Sequence, residues 1–301
     1  MEVIKITPRG YCKGVVRALE IVKKTIQEYP DQPIHILGMI IHNQFVMDAL
    51  KEKQVITHEN PNLTRLELLD EIDSGVVIFS AHGVSEQVVQ KAKEKGLILV
   101  NASCEDVIST QRLIQDYLTR GYDIFYIGKK NHPEAEAMIS MDLNRIHLIS
   151  SITDIDQYSI KNEKIMVTTQ TTMSLYDVKE IISSLQERFP QIEVLEEICS
   201  ATRMRQEALF EVDSELLYVV GDPNSNNSKN LARIAKNNVN LEVYFIQSVR
   251  DIKLSQLKNK KRVAVTAGAS TPTYLTNQVI EFLEQYPNIT SLPKIDSTKI
   301  L

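Results

Sequence analysis

The three cysteines of this sequence are candidates for a chemical role, because of both their residue type and their positions. Cys12, Cys104 and Cys199 each stand where an apolar run typical of a strand gives way to a pattern typical of a helix. A helix N-terminus lowers the pKa of a thiol, and the thiolate is the form that binds metals. Three soft thiolates suit an iron–sulfur cluster or zinc, although a lone cysteine is more often a small buried hydrophobe. A cubane cluster with three protein ligands would leave one iron open to a substrate.

An internal repeat links the three cysteines. Cys12 and Cys104 are 92 residues apart, and Cys104 and Cys199 are 95 residues apart. Two further polar loops follow each cysteine, at offsets of 26–30 and 67–71 residues. The residues in these six loops are His42, His82, His132, Thr171, Ser225 and Ser270. Since open α/β sheets bind ligands at the C-terminal ends of their strands, we expect all nine loops to face ligands.

Two of the loops have the composition of an anion-binding site. The run GDPNSNNS places Ser225, Asn226 and Asn227 ahead of a helical pattern, and TAGAST contains Ser270. Side-chain donors and free backbone N–H groups at a helix start can hold phosphate, although the same residues also serve as ordinary helix caps. The chain has no GxxxxGK[ST] motif, so no Walker-type lysine is expected. Together with the first two loop histidines, these loops could hold a diphosphate.

Glu134 is the candidate proton donor. It follows His132 by two residues in NHPEAE, at the start of a predicted helix. An exposed Glu at that place is usually only a favourable partner of the helix dipole. Beside a bound ligand, desolvation would raise the pKa of the carboxyl towards the range that is useful in catalysis. Glu136 is the nearest competitor, and the sequence separates the two poorly.

Ten short β-branched runs alternate with helical patterns, which predicts an α/β fold with mostly parallel sheets. The predicted strands are Val3–Thr7, Ile34–Met39, Val76–Ser80, Leu97–Ala102, Asp123–Gly128, Lys164–Thr169, Ile192–Glu196, Leu216–Gly221, Val243–Gln247 and Arg262–Ala267. A final strand and an extension are expected in the tail after Leu283. The repeat predicts a first domain at 13–97, a second at 98–195, a third formed by 1–12 with 196–283, and a C-terminal tail at 284–301.

The composition argues against several classes of protein. The 301 residues carry 34 Lys+Arg against 39 Asp+Glu, and this charge of −5 argues against a nucleic-acid partner. No apolar stretch approaches the roughly 20 residues needed to span a bilayer, so no membrane partner is expected. The N-terminus lacks the apolar core of a signal peptide. An odd number of widely spaced cysteines favours reduced thiols in the cytoplasm over a secreted disulfide framework.

Taken together, the motifs resemble the family of 4-hydroxy-3-methylbut-2-enyl diphosphate reductases, iron–sulfur enzymes of the non-mevalonate isoprenoid pathway. The matching runs are spread over almost the entire chain, in family order. They are GYCKGV, IHN, SAHGV, the Ser-Cys pair at Cys104, NHPEAE, TQTTMS, EICSATRMRQEA, NSNNS and VTAGAST. The resemblance implies three pseudo-symmetric α/β domains in a trefoil around one 4Fe–4S cluster per chain. It also implies Cys12, Cys104 and Cys199 as the cluster ligands, with one iron left open.

The resemblance further implies a role for each polar loop. The residues implied to bind the substrate diphosphate are His42, His82, Ser225, Asn226, Asn227 and Ser270. Glu134 matches the family's proton donor, with His132 and Thr171 beside it at the hydroxyl end of the substrate. Thr202 matches a hydroxyl near the cluster.

The implied reaction is the reductive dehydroxylation of 4-hydroxy-3-methylbut-2-enyl diphosphate. It yields isopentenyl and dimethylallyl diphosphates, with the substrate oxygen bound to the open iron. The resemblance implies reduced ferredoxin or flavodoxin as the electron donor. It also implies that the protein is a monomer or a loose homodimer.

The sequence departs from the family pattern around its second cysteine. Asn101, Ser103 and Glu105 stand where the family usually has Asp, Thr and Pro, and Ala137 stands where Gly is common. Glu105 is expected to add a carboxylate close to a thiolate ligand, where charge tunes the potential of a cluster. Every ligand type is nevertheless in place. The alternative to the enzyme is a diverged paralogue that acts as a non-catalytic iron–sulfur sensor.

Overall fold

A computed structural model describes residues 1–238 and 241–301 of the chain. In these residues twelve strands alternate with ten α-helices. The strands are β1 (Glu2–Lys5), β2 (Ile34–Leu37), β3 (Ile56–His58), β4 (Val76–Phe79), β5 (Ile98–Asn101), β6 (Asp123–Ile127), β7 (Ile146–Ile149), β8 (Ile165–Thr169), β9 (Glu193–Leu195), β10 (Leu216–Val220), β11 (Glu242–Ile246) and β12 (Arg262–Ala267). The helices are α1 (Lys13–Glu28), α2 (Gln44–Glu52), α3 (Arg65–Leu68), α4 (Glu86–Glu94), α5 (Glu105–Thr119), α6 (Pro133–Ile139), α7 (Leu175–Arg188), α8 (Ser200–Glu207), α9 (Asn226–Asn238) and α10 (Thr273–Gln285). Within the described ranges, no helix has both the length and the apolar character that a membrane span requires.

The strands form three parallel sheets of four strands each. Their orders are β3-β2-β4-β5, β7-β6-β8-β9 and β11-β10-β12-β1. In the sheets β3-β2-β4-β5 and β7-β6-β8-β9 the first strand along the chain lies between the second and the third, and the fourth strand lies beyond the third. In the last sheet β10, β11 and β12 take the first three of these places. The N-terminal strand β1 fills the fourth place of the last sheet by pairing with β12. This shared order confirms the α/β class and the threefold repeat, while the trefoil arrangement stays a prediction.

The chain divides into two compact units. Unit 1 consists of Met1–Val16, Ile41–Gln54 and Ser200–Leu301, and it contains the sheet β11-β10-β12-β1. Unit 2 consists of Arg17–Ile40 and Val55–Cys199, and it contains the other two sheets. The domain boundaries expected from the repeat stay a prediction.

The sheet of unit 1 is buried on both faces. Tyr218 and Val220 of β10 pack in a core with α10, whereas Leu217 and Val219 pack on the opposite face in a core with α9. Successive side chains of a strand point to opposite faces. A strand covered on both sides is therefore apolar at every position, which explains the run LLYVV.

Strand β6 of unit 2 shows the same alternation. Phe125 and Ile127 belong to a core that includes α7. Ile124 and Tyr126 belong to a different core that includes residues of α5 and α6. The two faces of this strand therefore support different helices, and Tyr126 lies on the side of α6.

Two strands are not evident in the sequence, and one expected strand is absent. β3 and β7 are short strands at the edges of their sheets. The expected strand in the tail was wrong: residues 286–301 are all described, and they contain only a 3₁₀ turn at Ser297–Lys299. Prolines 287 and 293 lack the N–H that a ladder needs. Side chains hold the tail instead, because Tyr11 donates to the Ile300 carbonyl at 2.9 Å.

Burial in unit 2 can be tested on a pair of isoleucines. Ile78 of β4 is fully buried, whereas Ile98 of β5 is 37% exposed. We expect Ile78→Ala to lower the free energy of unfolding by about 2–5 kcal/mol, because truncation leaves a cavity that only partly collapses. Ile98→Ala should cost much less. Urea unfolding of the chain without added metal measures both values, and equal losses would contradict the burial of Ile78.

Candidate active site

Each cysteine stands directly before a helix, as the sequence predicts. α1 begins at Lys13, α5 at Glu105 and α8 at Ser200. All three cysteines are outside disulfides, and each is half-buried. The three thiols therefore lie at helix N-termini.

The backbone amides of the cysteines are held by equivalent hydrogen bonds. Each amide donates to a carbonyl in the loop after the third strand of a sheet, and this loop is one of the polar loops of the repeat. The three bonds join Cys12 N to Ala269 O at 3.0 Å, Cys104 N to Ala81 O at 2.9 Å and Cys199 N to Thr171 O at 3.1 Å. The repeat thus fixes every cysteine against a polar loop of the same sheet.

The side chain of Cys104 contacts the carboxylate of Asp106, the second residue of α5. The Sγ atom of Cys104 lies 3.8 Å from Oδ2 of Asp106, a weak S–H donor contact. The Glu105 side chain is 73% exposed and pairs with Arg17, with 3.6 Å between Nε and Oε1. The side chain of Glu105 is therefore largely in solvent and paired with Arg17, and its effect on a thiolate stays a prediction.

The other departures around Cys104 have local partners. Asn101 accepts a hydrogen bond from the amide of Ser103 at 2.9 Å. The carbonyl of Ser103 accepts one from Arg17 Nη1 at 2.8 Å. These two bonds fix the loop that precedes the cysteine.

Glu134 lies at the start of α6 and is 1% exposed. Its Oε1 accepts from the amide of Thr171 at 2.8 Å, and its Oε2 accepts from the Thr171 hydroxyl at 2.9 Å. Burial raises the pKa of Glu134 to about 7, while the bonds from Thr171 and the hydroxyl of Tyr126 act to lower it. A buried carboxyl with this pKa can release a proton near neutral pH.

Two histidines lie beside this carboxyl. His132 caps the N-terminus of α6, because its Nδ1 accepts from the amide of Glu134 at 3.1 Å. In the neutral ring the proton is therefore on Nε2. The ring of His82 meets that of His132 edge to face, with 5.5 Å between the centroids. The structure thus brings together Glu134, Thr171, His132 and His82 within unit 2.

Glu136 has a different environment. Its side chain is 42% exposed and pairs with buried Arg65, with 3.3 Å between Nη1 and Oε2. The guanidinium of Arg65 occupies the space above Gly38, where a Cβ would come within 2.7 Å of Nη2. The structure therefore separates two carboxylates that the sequence could not, since Glu134 is enclosed and Glu136 is engaged in an ion pair.

The polar loops of unit 1 form a second group of side chains. The Ser270 hydroxyl lies 3.1 Å from the Ser225 hydroxyl and 3.1 Å from the carbonyl of His42, to which it donates. Ser225 also caps α9 by accepting from the amide of Ser228 at 3.3 Å. Three of the predicted anion-binding residues therefore meet at the N-terminus of α9.

Asn227 connects two further parts of unit 1. Its Nδ2 donates to the hydroxyl of Thr202 at 3.1 Å, and its Oδ1 accepts from the amide of Ala269 at 2.9 Å. Asn226 is also buried in this region. The loop after β12, which holds the Cys12 amide, is thereby tied to the start of α9.

Asp222 is a site residue that the sequence did not single out. It is 2% exposed, and its carboxylate accepts from the amides of Gln44 at 2.8 Å and Asn224 at 2.7 Å. The first of these bonds fixes the start of α2, directly after His42 and Asn43. An Asp followed by Pro-Asn is typical of a turn, so only its burial could have distinguished it.

The donor set matches the chemistry of an iron–sulfur cluster. Iron–sulfur clusters are held by cysteine thiolates, and the chain provides three half-buried thiols outside disulfides at helix N-termini. In residues 1–238 and 241–301, no group of three or more His, Cys, Asp or Glu is arranged to hold a metal ion.

The fold and these loops define an α/β protein of three repeated sheets with a cysteine at each repeat. Residues 3–284 match the family model described as LytB protein, and the chain belongs to that family. It is 50% identical over 292 residues to the 4-hydroxy-3-methylbut-2-enyl diphosphate reductase of Geobacillus kaustophilus, covering 96% of this chain and 92% of that protein. It is 46% identical over 307 residues to the reductase of the same name from Macrococcus caseolyticus, covering 100% of this chain and 95% of the relative.

A solved structure supports the same relationship. The E-1-hydroxy-2-methyl-but-2-enyl-4-diphosphate reductase from Plasmodium falciparum matches with a TM-score of 0.88 and 31% identity. The match covers 98% of this chain and 95% of that one. The family resemblance seen in the motifs is therefore confirmed.

The raised pKa of Glu134 has a consequence for stability. Between the ordinary value of 4.5 and about 7, the unfolded chain loses this proton while the folded chain keeps it, so stability falls as the pH rises. We expect Glu134→Gln to gain stability relative to the parent between pH 5 and pH 8, by up to about 3 kcal/mol. Urea unfolding at the two pH values measures the difference. Glu94→Gln, at an exposed site on α4, is the control, and a gain equal to that control would contradict the burial of a carboxylate at Glu134.

Proposed function

We propose that this chain catalyses the reductive dehydroxylation of 4-hydroxy-3-methylbut-2-enyl diphosphate to isopentenyl and dimethylallyl diphosphates. The observation that carries the proposal is the buried Glu134 carboxyl held by Thr171, in a chain that matches named reductases over nearly its whole length. In the balanced reaction, two electrons and two protons enter and the allylic hydroxyl leaves as water. Reduced ferredoxin or flavodoxin is the proposed electron donor.

We propose that the diphosphate is bound by polar residues of unit 1 together with His82 of unit 2. Ser225, Asn226 and Asn227 lie at the first turn of α9, a helix of 13 residues, and Ser270 shares a hydrogen bond with Ser225. A helix N-terminus attracts anions through its unpaired N–H groups and its dipole. His42, whose carbonyl accepts from Ser270, and His82 complete the proposed set of diphosphate ligands. Binding energy from this distant part of the substrate would orient the reacting bond.

We propose that Cys12, Cys104 and Cys199 hold a 4Fe–4S cluster. The residue types support this, since three thiols outside disulfides stand at helix N-termini, and equivalent hydrogen bonds fix the three cysteine amides. When bound, such a cluster supplies electrons and a Lewis-acidic iron to the substrate.

Glu134 is proposed to deliver the proton that lets the hydroxyl leave as water. With a pKa of about 7, it is protonated in a substantial fraction of molecules at neutral pH. Thr171 contacts both carboxyl oxygens, so the orientation of the group is held before and after the proton leaves. His132 keeps its Nε2–H as a donor towards the substrate, because its Nδ1 is engaged by the Glu134 amide.

The non-catalytic sensor gains no support from the relatives compared above, which carry the names of reductases. A sensor also has no need of an enclosed proton donor. A cytoplasmic location and a monomer or loose homodimer stay predictions.

The function predicts turnover of the diphosphate substrate by anaerobically reconstituted protein with a low-potential electron donor. Glu134→Gln should lower kcat by at least about 100-fold, because it removes the general acid while keeping the shape of the side chain. Its visible absorption spectrum should match that of the parent. Glu136→Gln, two residues along the same helix, should stay active.

Two results would count against this scheme. Parent protein with a full complement of iron and sulfide but no turnover would refute the function. Equal losses in Glu134→Gln and Glu136→Gln would refute the assignment of the proton donor alone.

The cluster assignment predicts that Cys104→Ser loses iron. A serine oxygen is a poor substitute for a soft thiolate, so we expect the content to fall from about four irons per chain to about one or fewer. Iron and sulfide analysis of anaerobically reconstituted protein measures this. Ser109→Ala, at an exposed site on α5, is the control, and full retention in Cys104→Ser would show that another group is the ligand.

A further inference from the structure

Tyr126 is a buried phenol to which the proposed reaction assigns no role. It lies in β6 with no exposed surface, and its hydroxyl makes no hydrogen bond of ordinary geometry within the described residues, although it lies near enough to the Glu134 carboxyl to lower its pKa. Buried hydroxyls are nearly always paired, because leaving one unpaired costs folding free energy. An unpaired phenol at this position therefore requires an explanation.

The ring of Tyr126 is held in place. It packs in the core that contains Ala135 and Met138 of α6, the helix that carries Glu134. Gly128, two residues along the strand on the same face, leaves the ring its space, because a Cβ there would come within 2.7 Å of Cε1. Only the hydroxyl proton is free to rotate.

The phenol of Tyr126 and the carboxyl of Glu134 each shift the pKa of the other. Burial, with the negative charge of Glu134 adding to it, holds the pKa of Tyr126 well above its usual range. Tyr126 therefore stays protonated and keeps a proton that it can donate to a carboxylate. In return, its hydroxyl is one of the groups that lower the pKa of Glu134.

We propose that Tyr126 is a positioning residue for proton transfer: its hydroxyl turns to donate to the Glu134 carboxylate when that carboxylate forms. The inference rests on the proposed role of Glu134. The acidic proton moves from Glu134 to the leaving hydroxyl, while Tyr126 keeps its own proton throughout. Thr171 already gives one donor to each carboxyl oxygen, and Tyr126 adds a third donor that has no other partner in the described chain.

Several groups around Glu134 shift its pKa, some of them upwards and others downwards. Tyr126 from β6 and Thr171 from the loop after β8 favour the carboxylate, whereas burial and the negative charge of Asp106 from α5 oppose it. His132 accepts from the Glu134 amide. Removal of the Tyr126 hydroxyl leaves burial and Asp106 less opposed, so the carboxylate becomes harder to form.

The first test is infrared titration of the anaerobically purified full-length protein. The band of the protonated Glu134 carboxyl is assigned by difference from Glu134→Gln in each background. In Tyr126→Phe we expect the midpoint of this band to move up by about one pH unit, a tenfold change in the ionisation constant. The matched control is Tyr218→Phe, a fully buried strand tyrosine whose hydroxyl already donates to Gln256 at 2.9 Å. Its midpoint should equal that of the parent.

The second test is the pH dependence of kcat. Glu134 must be protonated to act, so the rate falls as the pH rises through its pKa. In Tyr126→Phe this alkaline limb should move to higher pH, and the plateau should fall about tenfold because the acid is weaker. The melting temperature should stay the same or rise, because an unpaired buried hydroxyl is gone. A purely structural tyrosine would lower the melting temperature and leave the limb in place.

The outcomes separate this inference from the proposed function. An unmoved infrared midpoint in Tyr126→Phe overturns the inference, whether or not the enzyme turns over. A moved midpoint in protein that never consumes the substrate supports the pairing and refutes the function. Should Tyr126→Phe fail to fold, Tyr126→3-fluorotyrosine makes the phenol a stronger donor and must move the midpoint down, and an unmoved midpoint there also overturns the inference.

Discussion

The exclusion of water from the Glu134 carboxyl is the constraint on which the proposed chemistry depends. A carboxyl in water is ionised at neutral pH, whereas burial raises the pKa of this one to about 7. Burial alone would leave two oxygens without donors, so the Thr171 loop has to lie against the start of α6. The sheet order β7-β6-β8-β9 provides this, because it places the C-terminal ends of β6 and β8 side by side. The order of the strands thus places the hydrogen-bond donors of Thr171 against the buried carboxyl of Glu134.

Thr171 makes the hydrogen bond that is common to all three repeats and also binds Glu134. In every repeat, the loop after the third strand offers a carbonyl to a cysteine amide. In the second repeat Thr171 does this for Cys199, and its amide and hydroxyl hold Glu134 at the same time. One residue therefore fixes both a proposed metal ligand and the proposed acid. The equivalent loops of the other repeats hold His82 and Ser270, so a common backbone bond supports three different side-chain chemistries.

The sequence predicted the chemistry-bearing loops better than it predicted their partners. The cysteines and the loop histidines could be singled out because they recur after strands at repeated spacings, and Glu134 because it follows His132 by two residues. Asp222, Arg65 and Tyr126 could not, because their importance lies in burial and in contacts with residues far along the chain. Tyr126 in particular is typical of strand core, and only the missing partner of its hydroxyl distinguishes it. The edge strands β3 and β7 were also missed.

Two strands that lead to the polar loops contain buried hydroxyls that lower the stability of the fold. Thr168 of β8 and Thr266 of β12 are fully buried, and within the described ranges their hydroxyls have no partner. Each stands three residues before the carbonyl that holds a cysteine amide, and the equivalent residue of the remaining repeat is Ile78 of β4. Ile78 shows that an apolar side chain fits this place in the fold, so strand packing alone does not require a hydroxyl there. Each unpaired hydroxyl costs about 1–3 kcal/mol. Such costs are typical of elements that support a functional site rather than of elements that only build a core.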